Sequence, residues 1–209
     1  MVKYLTHDEF VKALTEQEVK DMVKQGTTVR PNDLLQKVVT RMRKPKIKRI
    51  IEIGTWRGLS SLVMASCPNV EHIWTFDINP SYYPEKLWKK FDLEDKITYV
   101  CKKNSNEIYK AIKEIPCDFA FIDGSHETEA ETGDFEFMKT HCSRILIDDT
   151  DDNRVFGIVK PSGAQRISFR FAYWHRDGNY DIKAEIKKDL VWDEPFGKID
   201  FRHLDDRKS

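Results

Sequence analysis

The sequence is poor in the features that mark several specialised protein classes. Its 209 residues include four cysteines, without a CxxC pair, nine glycines and eight prolines. Scattered cysteines favour free thiols in a reducing compartment over disulfides. No stretch approaches the ~18 apolar residues that a membrane helix needs, and no apolar leader precedes the first cysteine. We therefore expect a soluble, cytoplasmic protein without membrane insertion.

The sequence also lacks an excess of charge of either sign. It has 35 basic and 35 acidic side chains, so no nucleic-acid-binding surface over the whole molecule is expected. This balance hides two opposed segments. Residues Arg30–Arg49 carry eight basic and one acidic side chains, whereas residues Asp123–Asp152 carry ten acidic and two basic ones. The acidic segment is suited to a cation.

Enough apolar residues, 40% with 11% aromatic, are present to bury a core. Capping-box spacing at Thr6-x-x-Glu9 and Thr15-x-x-Glu18 predicts an N-terminal helical extension over residues 1–47. From Lys48 onward, short apolar runs alternate with helical segments. This alternation predicts one α/β domain whose parallel sheet has helices on both faces. The predicted strands are 49–54, 73–78, 97–101, 119–124 and 144–149, and the predicted helices are 59–66, 84–91, 105–114 and 127–140. Residues 153–209 are expected to add C-terminal strands and acceptor-side elements.

A glycine-containing turn follows the first predicted strand. The run Glu52-Ile53-Gly54-Thr55-Trp56-Arg57-Gly58 places a carboxylate near the strand end and two glycines four positions apart before a helix. Gly54 permits a tight turn and close approach of a ligand, and the helix N-terminus offers N–H groups to an anion. Asp77 comes 19 positions after Gly58, where an acid usually holds ribose hydroxyls. Because Trp56 replaces the second glycine of the dinucleotide motif, the run is not that fingerprint.

A second group of polar residues follows the fourth and fifth strands. These are Asp123-Gly124-Ser125-His126 and the pair Asp148-Asp149. Crowded carboxylates are costly unless a cation neutralises them, and an oxygen-only ligand set suits Mg²⁺. A metal would acidify a bound hydroxyl, and His126, with a usual pKa near ~6.5, could take its proton. The acids that follow are expected to form an exposed helix face rather than ligands; they are Glu127, Glu129, Glu131, Asp134 and Glu136.

The first motif resembles motif I of class I S-adenosylmethionine-dependent methyltransferases, followed by the acid after the second strand. The resemblance implies a Rossmann-like, doubly wound, mostly parallel sheet of about seven strands. Lys102-Lys103-Asn104-Ser105 lies where that superfamily contacts adenine. The residues that the resemblance implies for S-adenosylmethionine are Glu52, Gly54, Thr55, Gly58, Ser60, Asp77, Asn104, Ser105 and Asp123.

The second motif, Asp-x-x-His with paired acids 25 positions after the first Asp, resembles metal-dependent sugar and small-molecule O-methyltransferases, notably the macrolide-sugar enzymes. The resemblance implies that Asp123, Asp148 and Asp149 bind Mg²⁺ or Mn²⁺. It also implies that His126 is the general base, beside Asp123, for methyl transfer to a hydroxyl. The favoured acceptor is a sugar, as glycan or glycoside. Asp148 departs from the macrolide-sugar pattern, which has Glu there, and the resemblance covers about Arg49–Asp152.

Other functions remain open from the sequence alone. A metal-independent methyltransferase could use His126 or Asp123 alone as base. A non-catalytic nucleoside-binding module of a larger protein is a second alternative. A nicotinamide oxidoreductase is disfavoured by Trp56.

Overall fold

The fold was analysed in a computed structural model that describes residues 15, 20, 39, 46–80, 84–125, 127–150, 153–167 and 171–178. Apart from residues 15, 20, 39, 46 and 47, the predicted N-terminal helical extension lies outside the described residues, as do His126 and residues 179–209. The strands are β1 (Arg49–Ile53), β2 (His72–Asp77), β3 (Ile97–Cys101), β4 (Phe119–Ile122), β5 (Arg144–Ile147), β6 (Gln165–Arg166) and β7 (Ala172–His175). The α-helices are α1 (Leu59–Ala65), α2 (Glu85–Lys89), α3 (Ser105–Ile112), α4 (Thr128–His141) and α5 (Asn153–Val159). Short 3₁₀ helices span Glu94–Lys96 and Lys160–Ser162.

The seven strands form one sheet in the order β3-β2-β1-β4-β5-β7-β6. The first five run parallel, and β7 pairs antiparallel with both β5 and β6. The chain moves from β1 outward to β3 and then crosses to β4 on the other side of β1. The order of strands therefore reverses between β1 and β4, where open α/β sheets bind ligands. The predicted Rossmann-like, mostly parallel sheet is confirmed.

Both faces of the sheet are covered. Successive strand residues point to opposite faces, and Ile50 and Ile51 of β1 are both fully buried. Ile50 belongs to the apolar cluster that contains Leu62 of α1 and Trp88 of α2. Ile51 belongs to the other cluster, with residues of α3, α4 and α5. Burial of both faces explains why the strands read as continuous apolar runs rather than alternating ones.

The predicted strands and helices between Lys48 and Thr150 are all present, with ends that shift by a few residues. Beyond Thr150 the prediction was incomplete. The expected C-terminal strands include two short antiparallel strands, β6 and β7, and helix α5 precedes them. None of the described helices is long and apolar enough to cross a membrane.

Candidate functional site

The turn after β1 lies at the point where the strand order reverses. Gly54 has φ +99° and its N–H donates to the carbonyl of Phe76 at 2.9 Å. A Cβ on Gly54 would lie 1.9 Å from the backbone oxygen of Asp123, so the backbones of the β1 and β4 ends touch at this glycine. Gly54 is therefore required by both its conformation and this contact.

Gly58 closes the same turn against α2. It has φ +75°, and its carbonyl accepts a hydrogen bond from the indole N–H of Trp88 at 2.8 Å. A Cβ there would lie 2.5 Å from Nε1 of Trp88. The contact of the buried Trp88 with Gly58 thus fixes the start of α1. The spacing of the motif did not indicate this contact.

Asp77, the last residue of β2, holds the turn together. Its Oδ2 accepts the N–H groups of Thr55 at 3.1 Å and Trp56 at 2.7 Å. Its Oδ1 accepts the N–H of Asn79 at 2.8 Å. Trp56 has φ +42°, in the left-handed region that residues other than glycine rarely adopt. The half-buried Asp77 carboxylate therefore orders the backbone of the turn and still has one lone pair, on Oδ1, for a ligand.

Glu52 lies beneath the turn, with no exposed surface. Ser61 of α1 donates its hydroxyl to Oε2, and burial raises the pKa of Glu52 to about 7. Hydrogen bonding from Ser60, Ser61 and Thr75 partly opposes that shift. Thr75 also shares a 2.6 Å hydrogen bond with Thr55. In this structure Glu52 lies beneath the turn after β1, and its predicted contact with the cofactor stays a prediction.

Asn104 and Ser105 lie where the chain enters α3. Asn104 is the N-cap: its side-chain oxygen accepts the N–H of Glu107 at 3.1 Å. The N–H of Lys102 donates to the carbonyl of Asp77 at 2.9 Å, which brings this loop beside the end of β2. The segment predicted to contact adenine therefore adjoins the segment predicted to hold ribose.

The predicted reaction residues follow β4 and β5 at the same edge of the sheet. The N–H of Asp123 donates to the carbonyl of Ile53 at 2.8 Å, and the N–H of Asp148 donates to that of Ile122 at 3.0 Å. Asp148 is 4% exposed, and its Oδ1 accepts the N–H of Asp149 at 2.7 Å. Asp149 has φ +51°, so the backbone turns tightly at Asp148 and Asp149, directly after β5. The parallel pairing thus brings Asp77, Asp123 and Asp148 to one edge, as predicted.

The described residues contain no group of three or more His, Cys, Asp or Glu side chains placed to hold a metal ion. His126 and the acids at 151 and 152 lie outside the described residues. The carboxylates Asp123, Asp148 and Asp149 on their own do not supply a metal cage, and metal binding stays a prediction.

Two residues expected on an exposed helix face are in fact buried. Glu131 is 7% and Asp134 is 3% exposed. They lie three apart on α4, on the stripe that also carries Phe135 and Met138, so the prediction was wrong for both. Tyr109 of α3 donates its hydroxyl to Oδ1 of Asp134 at 2.7 Å, and burial raises the pKa of Asp134 to about 6.

Asp134 also faces the loop after β4. Its Oδ2 lies 3.5 Å from where a Cβ on Gly124 would be. The pair of Tyr109 and Asp134 therefore supports the segment that carries Asp123. The sequence contained a signal for the burial of Asp134, namely its helical spacing with apolar neighbours on α4. This spacing indicates its position better than its charge does.

Ile78, directly after Asp77, is a second residue that the sequence analysis missed. It is 56% exposed and is the exposed large apolar side chain of the described residues. Its side chain gives an exposed apolar surface next to Asp77 in the chain. An apolar residue immediately beyond a strand-end acid was the available signal.

Comparison with known proteins agrees with this geometry. A family model described as a methyltransferase domain matches residues 51–150. No protein with a curated description matches the chain in sequence. Solved structures share the fold at low sequence identity, with TM-scores of 0.57 to 0.59 for three of them.

The three structures are methyltransferases. The O-methyltransferase TomG of Streptomyces achromogenes, involved in tomaymycin synthesis and bound to S-adenosylmethionine, is 16% identical, with 79% of this chain and 88% of that chain covered and a TM-score of 0.59. An O-methyltransferase of Bacillus cereus bound to S-adenosylhomocysteine is 17% identical, with coverages of 84% and 100% and a TM-score of 0.57. The Podospora anserina methyltransferase PaMTH1, bound to S-adenosylhomocysteine, is 16% identical, with coverages of 80% and 86% and a TM-score of 0.57.

Residues 51–150 match a methyltransferase-domain family model, and the described sheet has the fold of these S-adenosylmethionine- or S-adenosylhomocysteine-bound methyltransferases. The fold predicted from the motifs is confirmed.

Proposed function

We propose that this protein is an S-adenosylmethionine-dependent O-methyltransferase that transfers a methyl group to a hydroxyl of a small molecule, with a sugar as the favoured acceptor. The observation that carries the proposal is the turn that follows β1. Its backbone is ordered by Asp77 and touches Asp123, so the cofactor crevice and the reaction edge are adjacent. The O-methyltransferases TomG and that of Bacillus cereus share this fold with the cofactor or its product bound.

Different described residues would contact different parts of the cofactor. The backbone from Gly54 to Gly58 and the start of α1 would receive the methionine end of S-adenosylmethionine. Asp77 would accept a hydrogen bond from a ribose hydroxyl through the remaining lone pair of Oδ1. Ile78 and the loop at Asn104 and Ser105 would lie along the adenine, because an exposed apolar side chain and a polar cap suit a flat, polar-edged base.

The reaction needs alignment and one proton acceptor. The acceptor oxygen attacks the sulfonium methyl, the carbon–sulfur bond breaks, and S-adenosylhomocysteine leaves. His126 takes the hydroxyl proton, and Asp123 orients the acceptor beside it. A sugar is favoured because vicinal hydroxyls are hydrogen-bond donors and the carboxylates of Asp123, Asp148 and Asp149 are acceptors.

The described carboxylates alone form no three-residue group placed to hold a metal ion. If Mg²⁺ or Mn²⁺ binds, Asp123, Asp148 and Asp149 are the oxygen ligands that the sequence offers, and the ion would acidify the acceptor hydroxyl. Metal dependence is decided by activity in the presence of excess chelator.

The test is methyl transfer with S-adenosylmethionine labelled in the methyl group, offered with a panel of free sugars, glycosides and catechols. We expect labelled methyl ether and an equal amount of S-adenosylhomocysteine. His126→Gln should lower kcat by 10²-fold or more while leaving the affinity for S-adenosylhomocysteine unchanged, since a base acts on the chemical step. Cofactor binding without transfer to any acceptor would indicate a non-catalytic module instead. Full activity of His126→Gln would remove this base from the mechanism.

A further inference from the structure

Two cysteines at the end of the sheet opposite the crevice lie next to each other. The Sγ atoms of Cys117 and Cys142 are 2.9 Å apart, and Cys117 donates to Cys142. Cys142 is 1% exposed and Cys117 is half-buried. The four cysteines of the chain are free thiols in this structure, as expected from the sequence.

The register of β4 and β5 explains why these two sulfurs meet. Ala120 pairs with Ile145 and Phe121 with Leu146, an offset of 25 positions. Cys117 and Cys142 are also 25 positions apart, so they lie opposite each other just before the strands begin. Neighbouring strands are ~4.8 Å apart, which is within the ~4.4–6.8 Å between Cα atoms that a disulfide requires. Paired residues of parallel strands point to the same face, so both sulfurs are on one side.

Other contacts hold the two segments in place around the sulfurs. The guanidinium Nε of Arg144 donates to the carbonyl of Asp118 at 2.9 Å. A ring nitrogen of His141 lies 2.8 Å from the carbonyl oxygen of Ile115. The strand starts are therefore fixed to one another on both sides of the cysteine pair, and bond formation would need little movement of the backbone.

The environment distinguishes the two thiols. The hydrogen bond from Cys117 lowers the pKa of Cys142, and the charge of Arg144 acts in the same direction. Burial raises the pKa of Cys117, and its hydrogen bond with Cys142 adds to this shift. The two shifts have opposite directions because the hydrogen bond between the sulfurs favours negative charge on Cys142 over Cys117.

We propose that Cys117 and Cys142 form an oxidisable site that a peroxide converts into an intramolecular disulfide. One sulfur of the pair attacks one peroxide oxygen, the O–O bond breaks, and that cysteine becomes a sulfenic acid. The other sulfur then attacks the oxidised sulfur and displaces the hydroxyl group, which leaves as water. In total the two thiols lose two hydrogens and one hydrogen peroxide is reduced to two waters, so no other reactant is needed.

The bond would stabilise the fold without reaching the methyl-transfer site. It closes the segment that contains β4, Asp123 and all of α4, which restricts the unfolded chain. Asp123 follows the far end of β4, about 20 Å along the chain from Cys117 at ~3.3 Å per residue. This proposal therefore stands apart from the proposed function and would survive its failure.

The experiment treats the purified full chain with hydrogen peroxide, alkylates the remaining thiols and maps peptides without reduction. We expect one linked peptide that joins Cys117 to Cys142, two alkylated cysteines instead of four, and a Tm higher by roughly 5 °C that reductant reverses. Cys101→Ala is the matched control and should still form the link. Cys117→Ser should lose both the link and the rise in Tm.

Other products would overturn the proposal. They are a link to Cys67 or Cys101, a disulfide between two chains, four thiols that remain alkylatable, or Cys142 oxidised to a sulfinic acid while Cys117 stays a free thiol. The peptide map of the unaltered chain decides among these, so the test does not depend on the folding of a cysteine variant.

Discussion

Replacement of Gly54 by alanine tests the contact on which the site depends. The backbone there has φ +99°, and the added Cβ would lie 1.9 Å from the oxygen and 2.4 Å from the carbonyl carbon of Asp123. Both are backbone atoms, so no side chain can rotate away. To bring the closest pair to an ordinary contact of 3.4 Å or more, the end of β1 must separate from the segment after β4.

Gly163 provides a matched control because it isolates the conformational part of the cost. It has φ +88°, and a Cβ there would meet nothing within 4 Å. Gly163→Ala should therefore lower the free energy of unfolding by about 1–2 kcal/mol, the cost of a left-handed backbone with a side chain. Gly54→Ala adds overpacking of about 1–3 kcal/mol, for a total of about 2–5 kcal/mol.

Urea unfolding followed by circular dichroism measures both variants. For a chain of this size the difference between them corresponds to a Tm lower by about 2–4 °C for each kcal/mol. Gly54→Ala should also bind S-adenosylhomocysteine more weakly, because the turn that receives the cofactor is displaced, whereas Gly163→Ala should bind normally. Equal stability and equal binding of the two variants would refute the argument from close approach.

Two buried carboxyl groups give further predictions. The pKa of Glu52 is raised to about 7, so the native state holds a proton that the unfolded chain releases between about pH 4.5 and 7, and stability falls as pH rises through this range. Between pH 4.5 and 8, the free energy of unfolding should fall by about 3 kcal/mol less in Glu52→Gln than in the natural chain, as measured by urea unfolding. Identical pH profiles of the two proteins would contradict the assignment. Tyr109→Phe removes the hydrogen bond to Asp134, whose pKa is raised to about 6. The loss should be about 2 kcal/mol at pH 8, where Asp134 is charged, and about 1 kcal/mol at pH 5, where it is protonated; a larger loss at pH 5 would exclude this explanation.

The central α/β unit was predictable because each of its short apolar runs fits a strand that is buried on both faces of a parallel sheet. A run such as Phe119-Ala120-Phe121-Ile122, bounded by an acid on each side, is buried on both faces in the parallel sheet. The carboxyl ends of such strands share one edge, which is why Asp77, Asp123 and Asp148 could be placed together before the structure was known. The antiparallel strands β6 and β7 were less clear because β6 is only two residues long and the pattern between them is mixed.

The contacts that refine the site could not be derived in the same way. Asp77 orders the turn through the N–H groups of Thr55 and Trp56. Because these donors are backbone groups, the identities of the two residues do not indicate the hydrogen bonds. Asp134 was assigned to solvent by its charge, although its neighbours on α4 bury it against Tyr109. The adjacency of Cys117 and Cys142 depends on the register of β4 and β5, which the sequence does not specify.

Calorimetric titration with S-adenosylhomocysteine tests the central claim most directly. The account predicts one binding site per chain, and binding by Asp77→Ala that is at least 10-fold weaker, because this change removes the acceptor of the ribose hydroxyls and of the N–H groups of Thr55 and Trp56. Gly163→Ala, which lies outside the crevice, should bind as the natural chain does. Absence of heat from a folded natural chain at millimolar ligand, or unchanged affinity of Asp77→Ala, would contradict the assignment of this crevice to S-adenosylmethionine.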